Sequence, residues 1–115
     1  MNRCIFLDRD GVINKERGEY TYKIDDFIIE DRVIEELAKL KSKGYKLIII
    51  TNQGGINKGL YSFDDVIKCH NYFQKMSDNV IDDFYYSPYH DDYTKSISRK
   101  PDSLMLERAI YKWDI

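Results

Sequence analysis

The sequence predicts an α/β protein built on a Rossmann-like parallel sheet flanked by helices. Three observations carry that expectation. Lys46 to Thr51, "KLIIIT", is an unbroken β-branched apolar run of the kind a parallel sheet buries on both faces. A shorter apolar run, Arg3 to Leu7, precedes it, with a helical pattern between the two, so together they read as a β-α-β unit. Strand and helix signals then alternate to the end of the chain, without an internal repeat, low-complexity tract or linker.

Each element has a local reason. Arg3 to Leu7 reads as a short buried strand that stops at Asp8. Val33, Ile34, Leu37 and Leu40 recur at helical spacing, with Asp31 as a candidate cap and Gly44 just past the end. A right-handed crossover makes the two strands parallel, so Asp8 and Thr51 should emerge at the same carboxyl edge, where ligands bind in open α/β sheets. A second helix is announced by Ser62-Phe63-Asp64-Asp65, a capping-box pattern, and Val66, Ile67, His70, Phe73 and Met76 mark its expected buried face. His70 and Cys69 read as packed helix residues. Asp83 to Tyr86, "DFYY", predicts a third strand. A loop to Pro101 and a last helix carrying Leu104, Leu106, Ala109, Ile110 and Trp113 follow.

The 115 residues suit one domain, 1–115, with one core. A formal charge of −2 supplies no broad basic surface, so nucleic acid is not the expected partner. The sequence shows no leader or long apolar span, and its two cysteines, Cys4 and Cys69, fall in a predicted strand and helix. A reduced, cytoplasmic protein with no membrane partner is the expectation.

The chemistry concentrates at strand ends. "CIFLDRDGVIN" delivers Asp8 and Asp10, one residue apart, into Gly11. Asp and Gly are also common turn formers, so this stretch alone fits an ordinary turn. Thr51-Asn52-Gln53-Gly54-Gly55 adds a hydroxyl, side-chain amides and flexible backbone that can donate to a phosphate. Arg99-Lys100-Pro101 places two cations just before a predicted helix start. Together these are parts for phosphoryl transfer. A carboxylate nucleophile reaches an anionic phosphomonoester only when cations and donors offset the combined charge. Asp8 would attack, Asp10 would serve as acid and then base, and Thr51 and Lys100 would bind the phosphoryl oxygens with Asn52 orienting the group.

At these residues the chain resembles the haloacid dehalogenase superfamily. "FLDRDGVIN", "ITNQGGINKG" and "SRKPDSLMLERA" are together similar to the D-glycero-D-manno-heptose 1,7-bisphosphate phosphatase and histidinol-phosphatase family. The resemblance implies a haloacid dehalogenase-like sheet without a large cap domain, Mg²⁺ as cofactor, and a role in sugar-nucleotide synthesis for surface polysaccharide such as lipopolysaccharide. It implies Asp8 as nucleophile, Asp10 as acid/base, Thr51 and Lys100 as the phosphoryl-stabilising pair and Arg99 as a substrate-recognition residue. Glu16, Arg17, Gly18 and Tyr20 fall on its substrate-contacting flap, and Asn52, Gln53 and Gly54 in its second motif. The heptose bisphosphate is the favoured substrate. Histidinol phosphate, or a non-catalytic phosphosugar-binding module on the same fold, are the alternatives.

Two departures stand out. Many relatives bind structural zinc through Cys-Pro-His and Cys-x-Cys, where this chain has Ser87-Pro88-Tyr89 and Ser96-Ile97-Ser98, so no zinc is expected. The family also continues into a strand ending in Gly-Asp, whose acid is a third Mg²⁺ ligand, whereas this sequence stops at Trp113-Asp114-Ile115. The expectation is a C-terminally incomplete domain holding Mg²⁺ weakly through Asp8 and the Asp10 backbone carbonyl. The complete protein is expected to be a monomer, and this chain to be open to association along its first strand.

Overall fold

A computed structural model of the chain describes residues 3–87 and 112. Three parallel strands, β1 (Cys4–Leu7), β2 (Lys46–Asn52) and β3 (Asp83–Ser87), form a sheet in the order β1-β2-β3. The register pairs Leu7 with Ile49 and Asn52 with Ser87. Parallel strands in this register bring Asp8, Thr51 and Asn52 out at the same carboxyl edge.

Strand β2 is central and explains its own composition. Leu47 and Ile49 face one core with Leu37, Cys69 and Phe73, while Ile48 and Ile50 face the other with Cys4, Phe6 and Tyr85. Both faces are dry, so alternation gives way to a continuous apolar run. Each buried Leu or Ile contributes roughly 1.5–3 kcal/mol relative to exposure, which outweighs the modest propensity of so short a strand. Strand β1, half-buried throughout, has β2 as its one neighbour among the described residues.

The helices α1 (Val33–Ser42) and α2 (Phe63–Ser77) pack on the Leu47/Ile49 face. Helix α2 starts with the predicted capping box: Asp65 N donates to Ser62 Oγ, and Ser62 N donates to Asp65 Oδ2. Helix α1 differs from expectation at its start. Its cap is Arg32 in the left-handed region, with no side-chain cap, because the chain enters from a turn in which Val33 N donates to Glu30 O. The buried face of α2 also shifts. Val66, Cys69, His70 and Phe73 form the inner stripe, while Ile67 and Met76 are exposed. At about 100° per residue Ile67 points well away from that stripe, whereas Met76 lies only about 20° beyond Cys69 but sits in the last turn of the helix.

Two polar clamps set β3 against the rest. Asp82 Oδ2 accepts from Leu47 N at 2.8 Å, and the Gln74 carboxamide both donates to Ile81 O and accepts from Ile81 N. Apart from Lys112, which is helical and whose Nζ donates to Asp83 Oδ2 at 2.8 Å, the predicted last helix lies outside the described residues. No helix among the described residues is long and apolar enough to cross a membrane.

Candidate active site

Immediately after β1 the chain wraps around one carbonyl. Arg9 O accepts from the amides of Val12, Ile13 and Asn14, at 3.2, 2.7 and 3.2 Å, and Gly11 N donates to Asn14 O at 2.7 Å. Gly11 sits at φ +87°, a conformation that side-chain-bearing residues rarely adopt, which is why the turn takes glycine there. The wrap leaves Asp8 exposed, buries Arg9, and holds Asp10 in between.

Asp10 is fixed by one oxygen. Its Oδ1 accepts from Arg9 Nε and Nη2, at 3.3 and 2.9 Å, and from Asn14 Nδ2 at 2.9 Å. With one carboxylate oxygen so engaged, Oδ2 is the oxygen left for proton exchange. Arg9 Nη2 also donates to Thr21 O at 2.7 Å, which ties the acid to the base of the following loop.

That loop carries Glu16, Arg17, Gly18 and Tyr20, the residues expected on the flap. Glu16 Oε1 accepts from Gly18 N at 2.9 Å, and Gly18 turns the chain at φ +76°. Arg17 braces it from within, pairing with Glu19 at 3.1 Å and Asp26 at 3.7 Å. Between the flap and the sheet edge lies an open cleft of about 890 Å³, bordered by Asp10, Glu16, Arg17, Tyr20, Asn52 and Leu60. The structure thus gathers Asp10, Asn52 and the predicted flap residues Glu16, Arg17, Gly18 and Tyr20 around one space.

The end of β2 has two layers. Asn52 reaches the cleft, whereas Thr51, Gln53 and Gly54 are buried behind it. Gln53 Nε2 donates to Thr51 Oγ1 at 3.0 Å, and Tyr61 Oη donates to Gln53 Oε1 at 2.7 Å. The carboxamide of Gln53 is therefore engaged with protein on both ends. Lys100 and Arg99 lie outside the described residues, as do Pro88, Tyr89 and the serines 96 and 98 of the zinc-loop comparison.

Reasoning from sequence assigned no role to Arg9, Asn14 or Tyr61. A period-two reading continued past Leu7 would have turned Arg9 away from the acids on either side and into the protein. Asn14 lies within a quoted motif and Tyr61 just beyond one, but only three-dimensional closure shows what they touch. His70 is a core residue, as expected. It stacks on Phe84 at 4.2 Å, and burial, reinforced by the Arg9 charge, pushes its imidazole down to about 3.

Magnesium favours hard oxygen donors and keeps several of its waters. Asp8 presents an exposed carboxylate at this edge. The loop bridge uses Arg9 O and Gly11 N on its Asn14 side, which turns the Asp10 carbonyl the other way. Among the described residues no group of three or more His, Cys, Asp or Glu side chains forms a metal cage. Hard oxygens of this kind are the donor type Mg²⁺ takes, with water completing its shell.

A parallel sheet with this loop at its carboxyl edge is the fold of haloacid dehalogenase-like phosphatases. The solved structure of the D,D-heptose 1,7-bisphosphate phosphatase from B. bronchiseptica, complexed with magnesium and phosphate, superposes with a TM-score of 0.91. The match covers 98% of this chain and 64% of that one, at 23% identity. By sequence, the chain belongs to the polynucleotide kinase 3 phosphatase family, which it matches over residues 3–114. It is 40% identical to the D-glycero-beta-D-manno-heptose-1,7-bisphosphate 7-phosphatase of Haemophilus influenzae, over 96% of this chain and 64% of that protein. It is 35% identical to the D-glycero-alpha-D-manno-heptose-1,7-bisphosphate 7-phosphatase of Burkholderia mallei, over 99% and 65%. The chain therefore spans a little under two thirds of the length of these relatives.

Proposed function

We propose that the chain carries the catalytic core of a Mg²⁺-dependent phosphatase that hydrolyses D-glycero-D-manno-heptose 1,7-bisphosphate through an aspartyl phosphate. The observation that carries the reading is the pinned acid: Asp10, held through Oδ1 by Arg9 and Asn14, sits at the mouth of a cleft with Asp8 two residues before it. The named relatives supply the substrate class.

In this reading Asp8 attacks phosphorus in line, the P–O bond to the sugar breaks, and Asp10 gives its proton to the departing oxygen. Asp10 then takes a proton from the water that attacks the aspartyl phosphate, which returns both carboxyl groups to their starting state. Thr51 and Lys100 hold the phosphoryl oxygens, Asn52 orients the group, and Arg99 with Glu16, Arg17, Gly18 and Tyr20 contacts the sugar end. Gln53 and Gly54 shape the turn behind them. Mg²⁺ held at Asp8 and the Asp10 carbonyl would offset negative charge on the phosphoryl group. The role is cytoplasmic supply of an activated sugar for surface polysaccharide.

A phosphate-release assay tests this with heptose bisphosphate, histidinol phosphate and a 3′-phosphorylated oligonucleotide, the last because of the family's name. Mg²⁺-dependent release from the heptose bisphosphate that Asp8→Asn abolishes is the expected result. Preferential release from either other substrate reassigns the enzyme. Phosphosugar binding without any Asp8-dependent release makes the chain a binding module.

A further inference from the structure

Flap and phosphoryl site meet on one ring that neither motif includes. Tyr61 stacks on Tyr22 with centroids 5.0 Å apart and planes 9° from parallel, and lies tilted against Tyr20 at 5.8 Å. Its hydroxyl donates to Gln53 Oε1, and Gln53 Nε2 donates to Thr51 Oγ1. Tyr61, Gln53 and Thr51 are all buried, so water does not compete for these bonds.

The order of donors has a consequence. Because Tyr61 gives its proton to the Gln53 oxygen, the Gln53 nitrogen must face Thr51, and the Thr51 hydroxyl must accept there. Its own proton then points to a different acceptor. Burial pushes the Tyr61 hydroxyl up to about 12, so the relay keeps its first proton throughout the neutral range. The seat of the ring is equally specific: a Cβ at Gly55 would stand 2.1 Å from Tyr61 Cε1, so only glycine lets the ring approach.

We propose that Tyr61 and Gln53 are positioning residues that couple the flap to Thr51, so that docking of Tyr20 and Tyr22 over a ligand and aiming of the Thr51 proton at a phosphoryl oxygen are one event. The proposal rests on the phosphatase reading for the identity of the acceptor. It goes beyond that reading in naming a communication route through residues that touch no substrate.

Amide hydrogen exchange across residues 16–23, with and without inorganic phosphate in Mg²⁺ buffer, tests it on the full chain. Phosphate should slow flap exchange in the wild type. Tyr61→Phe keeps the ring stack and removes only the hydroxyl, and Gln53→Met keeps both rings and removes the relay. In either variant, shown to be folded by circular dichroism, flap protection by phosphate should be largely lost. In turnover, kcat should fall roughly tenfold with KM changed much less, and the loss should vanish in a Thr51→Val background. Wild-type flap protection and kcat in both variants would overturn the proposal while leaving the phosphatase reading intact. Coupled flap protection without turnover of any phosphate ester would support the relay and sink the phosphatase reading. A wild-type chain that binds no phosphate would overturn both.

Discussion

Arg9 and Asp10 form an ion pair in which the cation is the deeper partner: Nη2 stands 2.9 Å from Oδ1, with the arginine side chain 1% exposed and the aspartate 31%. A guanidinium buried to that extent is tolerable only when a carboxylate offsets it. The acid/base candidate is thus also a structural counter-ion, which is unusual for a group free to gain and lose protons.

It follows that Asp10→Asn should destabilise the fold, by about 2–3 kcal/mol once the partial exposure of the pair is allowed for. Asp8→Asn, at a solvent-exposed position, should cost less than Asp10→Asn. Urea unfolding of the two variants side by side measures this. Equal stabilities would mean that the Arg9 charge is offset elsewhere.

The Gly55–Tyr61 contact gives a steric prediction. Gly55→Ala forces a methyl into the tyrosine ring and should cost about 2 kcal/mol by overpacking. In a Tyr61→Leu background, where that ring edge is gone, most of the cost should disappear. A Gly55→Ala penalty that is the same in both backgrounds would place its origin in the backbone.

His70 sets a pH dependence whose sign is fixed by burial. The folded imidazole is held neutral down to about 3, against 6.5 for an ordinary histidine. Above 6.5 neither state is protonated and stability is complete. As pH falls from 6.5 towards 3, the unfolded chain takes up a proton that the folded chain refuses. Stability should therefore drop by about 2 kcal/mol from this residue between pH 7 and pH 5. His70→Phe keeps the stack on Phe84 and should abolish that part of the drop, as read from urea melts at the two pH values. An unchanged pH dependence would show that His70 is protonated in the fold.

Legibility from sequence followed how local each feature was. Strand β2, the α2 capping box and the carboxyl-edge placement of Asp8 and Thr51 follow from runs and spacings within a few residues, and the fold reproduces them. The α1 cap was misplaced because Asp31 has the right chemistry but the preceding turn puts Arg32 at the cap. Met76 is apolar and reads as core, whereas it lies in the last turn of α2 and is exposed. Arg9 and Tyr61 were missed for a different reason. Their partners, Thr21 for one and Gln53 with Tyr22 for the other, are brought near by loop closure that no short-range pattern encodes.

The central claim is that Asp8 carries the phosphoryl group during turnover. The direct measurement is an acid quench during Mg²⁺-supported hydrolysis of heptose bisphosphate, then borohydride reduction and peptide mass spectrometry. Hydride reduces an acyl phosphate to the alcohol with loss of phosphate, so an aspartyl phosphate is read as homoserine. Homoserine is expected at position 8, dependent on substrate and absent in Asp8→Asn. Phosphate release at an enzymatic rate, about 1 per second or faster, with Asp8 recovered unmodified or with the label on another residue, would contradict it.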